Sequence, residues 1–216
     1  MKLKYGIVDF EITGGEPGEF KNLASICKYI KSASPKSRVA VITNGSLISQ
    51  PDCLEYVDEV LLSYHLSRKQ HANEIFFPLG CTWPKIKKLA ELANQIGCLI
   101  RTNTVLGTFN LDGIQTIVED LTEINPKIIN FLPVNLFDQA FDLARFIDYP
   151  SLRPKLKLLV DQLKISLPNS LIFIRYMPFC DMEGYQQHIV GYLQHIYDWF
   201  DWNVELGGSD FLDRLD

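Results

Sequence analysis

The side chains best suited to chemistry in this sequence gather in a few short segments. Gly14-Gly15-Glu16-Pro17 joins two glycines, which let a backbone approach a ligand closely, to a carboxylate that can bind an ammonium group. That combination suits an amino-acid-like ligand. The same residues also fit a tight turn, with Glu16 in the first turn of the next helix, where a carboxylate favours the helix dipole. Further polar segments are Thr43-Asn44-Gly45-Ser46, Ser63-Tyr64-His65, Asn103-Thr104-Val105, Leu132-Pro133-Val134-Asn135 and Met177-Pro178-Phe179-Cys180. Taken singly, Asn44-Gly45 is a common turn signal, and Ser63 to His65 could be a strand end with a satisfied histidine.

Metal chemistry finds less support. The histidines are His65, His71, His188 and His195, and a metal-dependent hydrolase would need several of them together. His188 and His195 stand seven apart, about 10 Å along a helix, too far to share one ion. The five cysteines, Cys27, Cys53, Cys81, Cys98 and Cys180, lie at least 17 positions apart, so neither a dense disulfide framework nor a short-spaced metal motif is encoded. Small, partly buried hydrophobes are the expected role for them. Cys180 falls on the functional side of the chain, where it could ligate a metal cluster or face a substrate, against the plainer reading of a buried structural thiol.

What must position these segments is an alternation of short apolar runs with stretches of helical period, the mark of βα units feeding a parallel sheet. Six runs read as strands: Ile7 to Thr13, Arg38 to Thr43, Glu59 to Tyr64, Cys98 to Val105, Ile128 to Val134 and Leu171 to Tyr176. Between them, helical faces run over Phe20–Ile30, over Ile86–Ile96 with Gly97 as the stop, over Ile114–Ile124 ended by Pro126, and over Leu152–Leu163. A last amphipathic stretch, Tyr185 to Phe200, reads as a helix packed on the core. His65 to Thr82 is too long and polar for an ordinary βα loop and is either an active-site lid or a surface excursion. In parallel α/β folds the loops after the strands carry function, and each polar segment above falls at such an end.

Strand, Gly-Gly-Glu-Pro, helix, strand, Thr-Asn-Gly, then a strand ending in Ser-x-His resembles the radical S-adenosylmethionine (radical SAM) family. The resemblance runs from about Tyr5 to Asn135, and continues more weakly through Met177-Pro178-Phe179-Cys180 and Asp201-Trp202-Asn203. It implies an α/β fold, an incomplete parallel (β/α) barrel, over a single partial barrel domain spanning 1–216, with a C-terminal extension from about 136. It also implies that Gly14, Gly15, Glu16 and Pro17 hold the methionyl amino group of S-adenosylmethionine. Ser63, His65 and Asn103 are the implied ribose and carboxylate contacts, with Thr43 and Asn44 lining the same mouth and Leu132, Pro133 and Asn135 near the adenine.

The family's Cys-x3-Cys-x2-Cys loop, which ligates a [4Fe-4S] cluster after the first barrel strand, has no counterpart in this sequence. Gly14 stands only 13 residues from Met1, so the first βα unit is expected to be missing, by truncation of a longer protein in preference to natural loss. The intact form is expected to cleave S-adenosylmethionine reductively with that cluster and to remove hydrogen from a substrate, small molecule or peptide, that the sequence does not name. No metal ligand and no catalytic residue is assigned within this chain, which alone is expected to be inactive. The alternative is a degenerate, non-enzymatic ligand-binding or interaction module on the same barrel.

Composition agrees with a globular chain: 47% hydrophobic, 22% charged, with a formal net charge of -5. That balance offers no electrostatic reason to expect a nucleic acid or an anionic membrane as partner. No apolar run approaches the roughly 20 residues needed to cross a bilayer. With the cysteine usage, a cytoplasmic location is expected; the oligomeric state stays open.

Overall fold

A computed structural model describes residues 9–65, 83–134 and 146–190. Six strands, β1 (Asp9–Ile12), β2 (Arg38–Thr43), β3 (Glu59–Ser63), β4 (Leu99–Leu106), β5 (Ile128–Pro133) and β6 (Leu171–Ile174), alternate with four helices. The helices are α1 (Leu23–Ala33), α2 (Trp83–Gln95), α3 (Ile114–Ile124) and α4 (Tyr149–Ser166). Every strand pair is parallel and the spatial order is β1-β2-β3-β4-β5-β6. Sequential order without reversal is the wall of a (β/α) barrel, in contrast to a doubly wound sheet, whose order switches at its middle. This wall is open, because β1 and β6 do not pair with each other.

Local chemistry explains the boundaries. Gly97 takes a left-handed backbone (φ 75°) just after α2, and Cys98 N–H then donates to Ala93 O at 2.9 Å. Asn125, also left-handed, closes α3 by donating its N–H to Leu121 O at 2.9 Å, and Pro126 bars continuation. Asp148 caps α4 by accepting from Ser151 N–H at 2.8 Å.

The two sheet faces differ. Val39, Val41, Val60, Leu62, Ile100, Leu106, Ile129, Phe131, Ile172 and Ile174 share one face, none more than 4% exposed. They form one core with Leu23 of α1, Leu89 of α2, Leu121 of α3 and Leu159 of α4. Ala40 and Leu61, equally buried, point the other way and stand outside that core. Their face carries the polar residues of the next section.

Most of the expected elements are present, with two corrections. Tyr185 to Val190 is not the start of a helix: Gln186–His188 form a single 3-10 turn, and Ile189 makes a parallel bridge to Ile174. Helical spacing in a short apolar stretch is outweighed here by the open backbone of β6, which takes an N–H from Val190 to Ile174 O at 3.2 Å. Cys180, read as a buried thiol, is exposed, because it sits in the surface turn Phe179–Met182, whereas Cys27, Cys53 and Cys98 are buried as expected. Ile7 and Val8 of the first run, most of the His65–Thr82 segment and the chain beyond Val190 lie outside the described residues. No described helix is long and apolar enough to cross a membrane.

Candidate cofactor site

The chain leaves β1 through Gly14 (φ 98°) and Gly15 (φ 55°), two left-handed residues in succession that side-chain-bearing residues would resist. This turn delivers Glu16 to the tip of β2. Its Oε1 accepts from Gly18 N–H at 2.9 Å and from Thr43 Oγ1 at 2.6 Å, and its Oε2 accepts from Asn44 N–H at 2.7 Å. Both sequence readings hold at once: Glu16 caps the 3-10 turn Pro17–Glu19 and also reaches across to the next strand end. A carboxylate has about four lone-pair positions. Three are taken, so Oε2 keeps capacity for one further donor.

The cradle is rigid for a steric reason. A Cβ on Gly18 would lie 2.5 Å from Leu47 N, so only glycine lets the two loops close. Gln50 Nε2 donates to Gly18 O at 2.7 Å across the same seam. Thr43 Oγ1 also accepts from Gly45 N–H at 3.1 Å, and Asn44 Oδ1 from Ser46 N–H at 3.0 Å, which fixes the Thr-Asn-Gly turn.

A second group lies on the face turned away from the helices. Register places Ser63 beside Asn103 and Asn103 beside Asn130. Asn130 Nδ2 donates to Asn103 Oδ1 at 2.9 Å. Leu132, opposite Val105 in register, is half-buried near this row, and Pro133 ends β5. Asn135 lies outside the described residues.

His65 turns toward β4, where its Nδ1 accepts from Val105 N–H at 3.1 Å, so the neutral ring carries its proton on Nε2. Burial pushes its pKa down to about 4. Asn110 secures this corner by donating to His65 O at 2.9 Å and to Val105 O at 2.8 Å. Tyr64 points to the helix side instead, its hydroxyl donating to buried Asp120 Oδ2 at 2.7 Å. The structure thus joins Glu16, Thr43 and Asn44 by direct hydrogen bonds, and aligns Ser63 and Asn103 as neighbours in another group.

Three features escaped the sequence reading. Asn130 and Asn110 sit in apolar or polar surroundings with no local signal to mark them; only register or tertiary contact gives them a role. Buried Glu59, at the start of β3, bridges Arg38, at 2.5 Å, and Arg101. Alternation along β4 could have exposed that pair, since Arg101 and Asn103 share a parity opposite to Ile100 and Thr102. The thiols of Cys27 and Cys53, from separate units, come within 3.6 Å of each other inside the core.

The residues present suit S-adenosylmethionine better than they suit a metal. Glu16 has acceptor capacity for an ammonium group, and the Ser63–Asn103 row offers neutral polar groups. Among the described residues, no three histidine, cysteine or acidic side chains converge to hold a metal ion. The Cys27–Cys53 pair lies in the apolar core, where the contact with Cys27 and burial together push the Cys53 thiol far up. Cys98 is pushed up to about 12, chiefly by burial.

No family model matches the chain. A GTP 3′,8-cyclase of Peptoclostridium acidaminophilum is 28% identical over 165 residues, covering 71% of this chain and 49% of the relative. The chain therefore spans about half the length of this curated relative. Streptococcus suis SuiB bound to precursor peptide SuiA superposes with a TM-score of 0.60 at 18% identity, over 76% of this chain and 37% of SuiB. The structure of anSMEcpe with bound AdoMet and the Cp18Cys peptide gives a TM-score of 0.59 at 19% identity, over 79% of this chain and 51% of that one. A domain of a pyruvate-formate lyase-activating enzyme from Bacteroides vulgatus gives 0.53 at 18%, over 70% and 92%. At such identities these structures speak for the fold alone; taken with the Gly-Gly-Glu-Pro turn, the ordered strand ends and the cyclase likeness, the chain is similar to members of the radical SAM family.

Proposed function

We propose that the strand tips of this chain bind S-adenosylmethionine, with Glu16 receiving its ammonium group. The observation that carries this reading is the Glu16 carboxylate itself, oriented by Gly18, Thr43 and Asn44 with acceptor capacity left over. Gly14 and Gly15 leave the approach open among the described residues, since a Cβ on either would meet none of their atoms within 4 Å. Asn103 and Ser63 are the proposed contacts for the ribose and carboxylate, and Leu132 and Pro133 for the base. His65, whose Nδ1 accepts from Val105 N–H, is the further proposed contact for the ribose and carboxylate.

A [4Fe-4S] cluster supplies the electron for reductive cleavage of S-adenosylmethionine in the radical SAM family, and no set of side chains that could ligate one converges among the described residues. The contribution proposed for this chain is therefore to hold and orient the cofactor and exclude water from it, on behalf of hydrogen abstraction in a whole protein. Its substrate is a small molecule or a peptide; SuiB and anSMEcpe were solved with peptides bound.

Isothermal titration of S-adenosylmethionine into wild type and Glu16→Gln tests the reading. Binding to wild type, weakened at least about tenfold by the substitution, is expected from loss of a charge-assisted contact. Equal affinity for the two proteins, with both folded by circular dichroism, overturns the assignment.

A further inference from the structure

Asn130 is the most deeply buried amide on the ligand-side face, 1% exposed, and it is only half satisfied. Its Nδ2 donates to Asn103 Oδ1 at 2.9 Å, while its own Oδ1 has no hydrogen-bond partner among the described residues. A buried carbonyl left without a donor destabilises a fold, and a leucine of similar size would leave nothing unpaired. Folding alone thus argues against an asparagine here. Its neighbours Ile129 and Phe131 face the opposite side and pack fully in the core, so the strand does not need Asn130 for its apolar packing.

What the amide does contribute is direction. Asn103 is half-buried, and an amide free to turn could present either its oxygen or its nitrogen to a ligand. With its oxygen engaged by Asn130, Asn103 must present Nδ2, a donor. We infer that Asn130 is a positioning residue that fixes Asn103 as a hydrogen-bond donor toward the ligand, selecting a group that accepts there, such as a hydroxyl or carboxylate oxygen. This rests on the proposed cofactor reading for Asn103 and adds a residue that never touches the ligand itself.

The test uses the full chain with S-adenosylmethionine as probe, in wild type, Asn130→Leu, Asn130→Asp, Asn103→Ala and the Asn103→Ala/Asn130→Leu double variant. Asn130→Leu is expected to melt at or above the wild-type temperature yet bind the probe at least about fivefold more weakly, the loss of one oriented hydrogen bond. Asn130→Asp, which can only accept when ionised, is expected to reverse the Asn103 amide and weaken binding at least as much. In the Asn103→Ala background, Asn130→Leu is expected to change affinity no further, because its effect runs through Asn103. Wild-type affinity in Asn130→Leu, additive losses in the double variant, or melting more than about 4 °C below wild type each overturns the inference, the last by showing a structural role. A wild-type chain that fails to bind the probe sinks the cofactor reading instead, and the melting comparison still judges Asn130.

Discussion

The two faces of the sheet solve different problems with the same six strands. The helix-side face is mainly apolar and close-packed, from Val39 and Val41 through Phe131 to Ile174, with the buried hydroxyls of Thr102 and Thr104 set among them. The opposite face carries Arg38, Glu59, Arg101, Ser63, Asn103 and Asn130, an arrangement with buried polar groups whose satisfaction is incomplete. Apolar burial is non-directional and tolerates many residue choices of similar volume, whereas each polar group needs a partner at a set distance. One face accordingly secures the fold, and the other is set by the polar contacts its residues make.

Truncating the apolar face should have the largest effect on stability. Phe131→Ala, at a fully buried site, is expected to cost about 3–5 kcal/mol in urea unfolding. A cost below 1 kcal/mol would erase the distinction between the faces. On the other side, Glu59→Gln leaves Arg38 and Arg101 facing each other without their shared carboxylate, with an expected loss of about 3 kcal/mol. If that variant proves neutral, the ionic group is a surface ornament and the face is more permissive than its burial suggests.

pH separates the faces next, because only the polar side has a described titrating group with a large shift in the relevant range. The folded pKa of His65, about 4, lies below its ordinary 6.5. Protons therefore bind the unfolded chain first, so the contribution is fully present above about pH 6.5 and is lost as pH falls toward 4, about 3 kcal/mol in all. Denaturation midpoints of wild type and His65→Gln across that window should diverge at neutral pH and converge in acid. The smallest effect is expected from Thr43→Val, which takes one donor from Glu16 and one acceptor from Gly45 for about 1 kcal/mol of stability. Its sharper readout is weaker S-adenosylmethionine binding, since Glu16 loses its side-chain orienter.

The legible parts of this molecule were those with short-range causes. Alternating runs marked all six strands because a strand covered by helices must be apolar over several consecutive residues. Gly97 and Pro126 announced helix ends through their backbone preferences. Glu16 stood out because Gly-Gly-Glu-Pro follows a strand and is itself followed, in order, by the Thr-Asn-Gly and Ser-x-His strand ends. Tyr185 misled because its spacing suited a helix, while the competing bridge partner, Ile174, is a spatial neighbour that no local pattern reveals.

By itself, the sequence determined the parallel βα order and the strand ends where polar groups collect, since hydrophobic period and turn chemistry act over a few residues. Tertiary structure alone decided which of those groups meet: Glu16 with Thr43 across 27 positions, Asn103 with Asn130, and Glu59 with two arginines. The reason is register. Hydrogen bonding between strands sets side chains from distant positions side by side, and neither composition nor spacing contains that alignment until the sheet has formed.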